Sequence, residues 1–201
     1  MNTEARIGKP KMYSYASYKE EVVSLYEVGK VSGDKQSEAL LQTTFMNLQR
    51  MKRLDKKSQL SSEMLVLTKK TTRKMNWYLL IEGWCADGSQ NVPIIAQIAD
   101  AIATVDLKIV FRDENPEIMN QYLTNGGKAI PKLVCFDAVT NNEIGTWGPR
   151  PARIQEKVVA YKKQHPEMDK NDFANHLHKW YAKDKAQALQ EEFMELLNKW
   201  K

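Results

Sequence analysis

The sequence predicts an α/β fold with a mixed sheet and helices on both faces, preceded by helices and followed by an amphipathic helical tail. Three observations lead there. Two short apolar runs, Trp77-Tyr78-Leu79-Leu80-Ile81 and Leu107-Lys108-Ile109-Val110-Phe111, bracket a stretch of helical periodicity, as in a parallel strand pair joined by a crossover helix. Two more runs, Lys132 to Phe136 and Glu143 to Trp147, flank Asn141-Asn142 and read as an antiparallel hairpin. Finally, Phe173, Leu177, Trp180, Leu189, Phe193, Leu196 and Trp200 recur at helical spacing.

From about Tyr15 to Met75 the pattern is helical. Val22, Leu25, Tyr26 and Val28, then Leu40, Leu41, Phe45, Leu48 and Met51, fall three and four residues apart, with Ser32-Gly33-Asp34 as the break between them. A third helix starts at Ser61 or Ser62, with Ser62 able to cap it and Leu65, Val66 and Met75 expected to face inward. The first strand, 77–81, leads through Cys85 into a helix expected over 89–104, which Pro93 should kink because proline removes a donor and crowds the preceding turn. After the second strand, Asn115-Pro116 offers a cap and a first-turn proline for a short helix, with Asn125-Gly126-Gly127 read as its stop. The hairpin follows, then a helix over 151–164, giving the order β-α-β-α-β-β-α. The tail from Asp169 to Lys201 reads as one long helix whose apolar stripe covers the N-terminal helices; a dimer contact or a membrane surface is the alternative use of that stripe. The expected organisation is a helical N-terminal extension (1–75), an α/β domain (76–165) and a C-terminal amphipathic helix packed on the body (166–201).

Composition narrows the function classes. At 201 residues, 42% hydrophobic and 27% charged, the chain can bury one core with extensions and has the make-up of a soluble globular protein. No apolar run reaches spanning length, and Met1 to Lys19 is polar without a signal core, so no membrane partner and a cytoplasmic location are expected. The net charge of +5 is dispersed among 25 acidic residues. Basic clusters such as Lys52-Arg53 with Lys56-Lys57, and Lys69-Lys70 with Arg73-Lys74, read as solvated helix faces rather than a nucleic-acid site.

The chemistry points to Cys85. A thiol where a strand turns into a helix sits among free N–H groups at the positive end of the helix dipole, which favours thiolate, while the nearby Asp87 opposes it. Two cysteines do not make a disulfide scaffold. Cys135, four residues beyond Pro131 on a strand, stands about 13 Å up the sheet at ~3.3 Å per residue, too far to resolve Cys85, and reads as a small buried residue. His165, His176 and His178 do not share a face with carboxylates or thiols at ligand spacing, so no metal is expected, and no cofactor motif appears.

These residues, taken in order over roughly Asn76 to His165, resemble the thioredoxin superfamily. Trp84-Cys85 is similar to the Trp-Cys that opens its active site, Pro93 to the proline of its active-site helix, and Asp113-Glu114-Asn115-Pro116 to its Asp-x-Asn-Pro turn. Ile130-Pro131 resembles its Ile-Pro, whose proline is cis beside the reactive cysteine, and Gly148 its groove-lining glycine. The departures are as informative. Gly88 stands where the family has its resolving cysteine, and Leu79 and Ile109 stand where it has a buried acid and lysine, so this is a degenerate, single-cysteine motif. Asp87 and Glu82 are the nearby acids, both expected near the surface.

The resemblance implies a monothiol redox protein, a disulfide oxidoreductase exchanging thiol and disulfide through a mixed disulfide on Cys85. Trp84, Asp87, Arg112, Ile130, Pro131 and Gly148 would line its substrate groove. Arg112 sits on the groove rim, placed to lower the thiol pKa or hold an anionic substrate group, or else paired with Asp113 or Glu114; Arg150 is a lesser candidate of the same kind. The expected partner is a thiol or disulfide substrate, a small thiol such as glutathione or a protein, with a homodimer left open. The rival reading is a non-enzymatic adaptor that uses the same groove for a partner.

Overall fold

The computed structural model describes residues 10–201. Among the described residues three helices come first: α1 (Tyr15–Glu27), α2 (Glu38–Lys57) and α3 (Ser62–Lys70). Each opens on a serine whose hydroxyl accepts a first-turn N–H: Ser14 from Ser17, Ser37 from Leu40 and Ser61 from Met64. Ser61, not Ser62, therefore caps α3; Met64 and Thr68 face inward, and Leu65 and Val66 are exposed.

Then follow β1 (Met75–Ile81), α4 (Ala86–Asp100), β2 (Val105–Phe111), α5 (Pro116–Met119), β3 (Lys132–Asp137), β4 (Glu143–Trp147) and α6 (Ala152–Gln164). The sheet order is β2-β1-β3-β4, with β1 parallel to β2 and antiparallel to β3, and β3 antiparallel to β4. The expected mixed sheet is present. β1 runs down its middle, and Trp77, Tyr78, Leu79, Leu80 and Ile81 are all buried; because side chains alternate along a strand, both faces are covered. Pro93 lies inside α4 without ending it. The helix also starts three residues earlier than its periodicity suggested, because Cys85 itself supplies the cap.

Three further features depart from expectation. α5 ends at Met119, and Asn125 and Gly126, both at positive φ, form a separate tight turn in which Thr124 and Gly127 exchange backbone hydrogen bonds. Asn115 does not cap α5 with its side chain; its Nδ2 donates to the Phe111 carbonyl at 2.7 Å. The tail is two helices, α7 (Lys170–Asp184) and α8 (Gln187–Trp200), because Lys185 and Ala186 both adopt left-handed φ and turn the chain.

The stripe on α8 enters the main core. Phe193 and Trp200 meet the Trp77 ring at 5.6 and 6.0 Å, and Phe193 meets Trp147 at 5.4 Å. Arg73 fastens the end of α8, donating to Asp137 at 2.7 Å and to the Trp200 carbonyl at 3.0 Å. A smaller cluster of Ile154, Val158, Leu177 and Tyr181 joins α6 to α7. At the open edge of the sheet, Tyr13 and Ile109 exchange two 2.8 Å backbone hydrogen bonds. Among the described residues, no helix is long and apolar enough to cross a membrane.

Candidate functional site

The site forms where β1 ends and α4 begins. Cys85 is the N-cap of α4, in extended conformation, and its Sγ does what a serine hydroxyl does at other helix starts: it accepts the Gly88 N–H at 3.3 Å. The same sulfur donates to the Ile130 carbonyl at 3.3 Å, and the Ile130–Pro131 bond is cis. The cysteine turn thus touches the loop before β3 through the thiol itself.

Burial decides the protonation balance at Cys85. With 7% of the residue exposed, burial pushes the thiol up to about 12. The Asp87 charge adds to the rise, and the Gly88 and Asp87 N–H groups and Arg150 pull the other way without overcoming it. The resting group is a thiol, which fits its donating a hydrogen bond to a carbonyl.

Asp87 and Glu82, expected near the surface, are both buried. Asp87 is the centre of a network that joins three segments. Arg150, in the loop after β4, grips it through Nε at 3.0 Å and through a second, shorter contact from Nη2. Tyr181 on α7 donates its hydroxyl to Asp87 at 2.7 Å, and Asn91 bridges the Asp87 carbonyl and the Tyr181 hydroxyl at 2.8 and 3.0 Å. Burial and the Asp87 carboxylate raise the Tyr181 phenol well above its ordinary value, so it remains a donor. Glu82 has one oxygen accepting the Asp113 N–H at 2.8 Å, while the other is buried without a hydrogen-bond partner. Burial pushes its carboxyl up to about 7.

The two candidate arginines have different partners. Arg112 takes the pairing alternative: its Nε donates to Asp113 at 2.7 Å, and its guanidinium lies 4.9 Å from the centre of the Trp84 ring. Arg150, the lesser candidate, reaches the first turn of α4. Trp84 is anchored by its Nε1 donating to the Ser32 carbonyl at 2.9 Å.

Gly148 and Gly88 occupy places where a side chain does not fit. Gly148 has φ +112°, and a Cβ there would run into the Pro131 carbonyl oxygen, so the β4–α6 loop lies backbone-to-backbone on the Pro131 loop. A Cβ on Gly88 would run into the Ile81 Cδ1 and sit 3.3 Å from the Cys85 Cβ. Beneath the site, Leu79 and Ile109 face each other in register on β1 and β2, fully buried.

Asn47 on α2 was not singled out in the sequence. Fully buried, it donates to the Gly83 and Cys85 carbonyls at 3.0 and 3.2 Å and so fixes the cysteine turn from the N-terminal helices. Its buried neighbours on α2 are Thr44 and the expected Met51; Leu48 is half-buried against the core, while Phe45 is exposed. Nothing in a helical pattern distinguishes such an asparagine from a solvent-facing one. Tyr181, also missed, is a polar-tipped residue in an apolar stripe. His165 and His176 flank the Tyr161 ring at 4.4 and 4.6 Å, whereas His178 Nδ1 lies 2.9 Å from Gln90 Nε2. Cys135 is free and fully buried, as is the norm for a cysteine inside a central strand.

Two solved structures share this fold. A Pseudomonas aeruginosa protein of unknown function is 15% identical with a TM-score of 0.56, the match covering 93% of this chain and 98% of that one. An HIV epitope-scaffold is 15% identical with a TM-score of 0.54, over 92% and 98% of the two chains. No curated protein matches the chain. A family model described as thioredoxin matches residues 33–170, beginning in the helices before the sheet and so reaching well outside the 76–165 span in which the motifs were recognised. That match spans well over half of the sequence, and by it the chain belongs to the thioredoxin family.

Proposed function

We propose that the protein exchanges thiols and disulfides through Cys85 alone. The observation that carries the reading is the placement of the Cys85 sulfur between the Gly88 N–H at the head of α4 and the Ile130 carbonyl of the Pro131 loop. In the first step Cys85 loses its proton and its sulfur attacks one sulfur of a substrate disulfide. A Cys85–substrate S–S bond forms, the substrate S–S bond breaks, and the departing thiolate takes up a proton. In the second, an external thiol attacks the mixed disulfide, leaves joined to the substrate sulfur and returns Cys85 to the thiol. Gly88 leaves no second sulfur to do this internally.

The Gly88 N–H stabilises charge on the sulfur during attack. The Ile130 carbonyl holds the proton at rest, so a substrate whose own N–H takes that carbonyl loosens it. Trp84 and Pro131 shape the groove for a small thiol compound or a protein partner.

A second reading, a non-enzymatic binding module, is favoured by one observation: the thiol is buried and its pKa is pushed up to about 12. Incubation with oxidised glutathione at pH 7 and pH 9, read by intact and peptide mass spectrometry, separates the two. Exchange predicts one glutathione on Cys85, none on Cys135, and none in Cys85→Ser. A protein unmodified at Cys85 at both pH values, or one that forms a Cys85–Cys135 disulfide, sinks the single-thiol mechanism.

A further inference from the structure

Between α2 and the junction of α7 with α8 lies a cleft of about 510 Å3, which shares Arg53, Gln90 and Ala182 with a neighbouring hollow lined by Arg50, His178 and Lys179. Cations outnumber carboxylates in the two linings. Arg50, Arg53 and Lys57 stand at i, i+3 and i+7 along α2, a spacing that stacks them on one face. Lys179 and Lys185 line the opposite side. Among the described residues none of these five cations makes an ion pair. The carboxylate in the lining, Asp184, is engaged elsewhere, by Arg153 at 3.3 Å and the Ala188 N–H at 2.9 Å.

The rest of the lining differs in kind. Leu54, Leu189, Tyr181 and Ala186 make an apolar wall, and the buried amide of Gln90 stands where the two hollows meet. The field of the cations is felt at His178, whose pKa is pressed down to about 4 by burial, then by Arg50 and, less, by Arg53, against an opposing pull from Asp87.

Arg53, Lys57 and Lys185 line the cleft and Arg50 and Lys179 the adjoining hollow; these cations repel one another, and an anion with several negative oxygens lying across the two relieves them together. Guanidinium groups match phosphate oxygens in pairs, and small-ligand pockets typically span roughly 300–1,000 Å3. A nucleic acid calls for a track open along a surface, whereas this is a hollow with an apolar side. We propose that the cleft binds a small organic polyphosphate of the nucleotide class, phosphates on Arg50, Arg53, Lys57, Lys179 and Lys185, and the ring against the apolar wall. This site is separate from the Cys85 chemistry and stands whether or not that chemistry does.

Calorimetry and thermal melting on the full-length protein test it, with ATP, inorganic triphosphate, adenosine and a single-stranded DNA oligonucleotide as probes. ATP is expected to bind and raise the melting temperature, triphosphate to bind more weakly, and adenosine to have no effect. Arg53 and Lys57 are exposed, so the Arg53→Gln, Lys57→Gln double variant should fold and lose about tenfold or more in ATP affinity. Lys52→Gln, on the same helix but outside this cleft, should bind ATP as the wild type does. No heat of ATP binding, equal weakening by Lys52→Gln, or tighter binding of the oligonucleotide than of ATP overturns the proposal.

Discussion

Arg150 holds Asp87 through Nε and Nη2 of its guanidinium, and with 15% and 10% of the side chains exposed the pair is nearly dry. Each charge therefore leans chiefly on the other, with Tyr181 helping to hold Asp87. Asp87→Asn removes the charge that raises the Cys85 thiol and releases Arg150, whose charge lowers it. The pH midpoint of Cys85 alkylation should then fall by about one unit or more, at a stability cost of about 3 kcal/mol. A midpoint that stays put or rises would show that the network does not govern the thiol.

Gly88 sets a second expectation. Substituting cysteine there supplies the missing sulfur, but its Cβ meets Ile81, which fills that space. Gly88→Cys alone should lose about 1–3 kcal/mol to overpacking. Adding Ile81→Val removes the offending Cδ1, and the pair should form an 85–88 disulfide with better stability than the single variant. If the double variant is no more stable than the single one, Ile81 is not what excludes a side chain at 88.

Glu82 makes stability depend on pH. Its carboxyl is pushed up by burial to about 7, above the value of an unfolded glutamate, so the folded protein holds the proton more tightly between those two values. The stability that the protonated form contributes is fully present below the unfolded pKa and is lost as pH rises through about 7. Glu82→Gln, which keeps an acceptor for Asp113 and carries no charge, should melt with the wild type near pH 4 and be more stable by roughly 2–3 kcal/mol at pH 8. Equal melting temperatures at pH 8 would remove Glu82 from the account.

Cutting the chain after Ala186 deletes α8 and exposes the Trp77 face of the sheet. Leu189, Phe193, Leu197 and Trp200 are each at most 3% exposed, and losing side chains of this size forfeits roughly 1.5–3 kcal/mol apiece. The truncated protein should be insoluble or unfolded by circular dichroism. A soluble, cooperatively melting truncation would mean that α8 is dispensable to the core.

The strands were legible because a fully buried β1 is apolar at nearly every position, and the hairpin because Asn141 can take the positive φ its turn requires. The α7–α8 break was not, since Lys185 and Ala186 carry no glycine or proline signal and take left-handed φ only under tertiary constraint. At the site, Cys85, Trp84 and Pro131 were readable from local sequence. The polar contacts were not: Asn47, Arg150 and Tyr181 reach α4 across 38 or more positions of chain, and their partners are set by packing rather than by spacing.

The backbone exchange between Tyr13 and Ile109 has a bearing on self-association. An outer strand normally offers free donors and acceptors to another chain, and here the middle of β2 is already taken by the protein's own N-terminal segment. Two copies joining their sheets into one continuous ribbon would first have to displace Tyr13 from both. At Ile109, pairing of β2 with a second copy is therefore opposed in the resting fold.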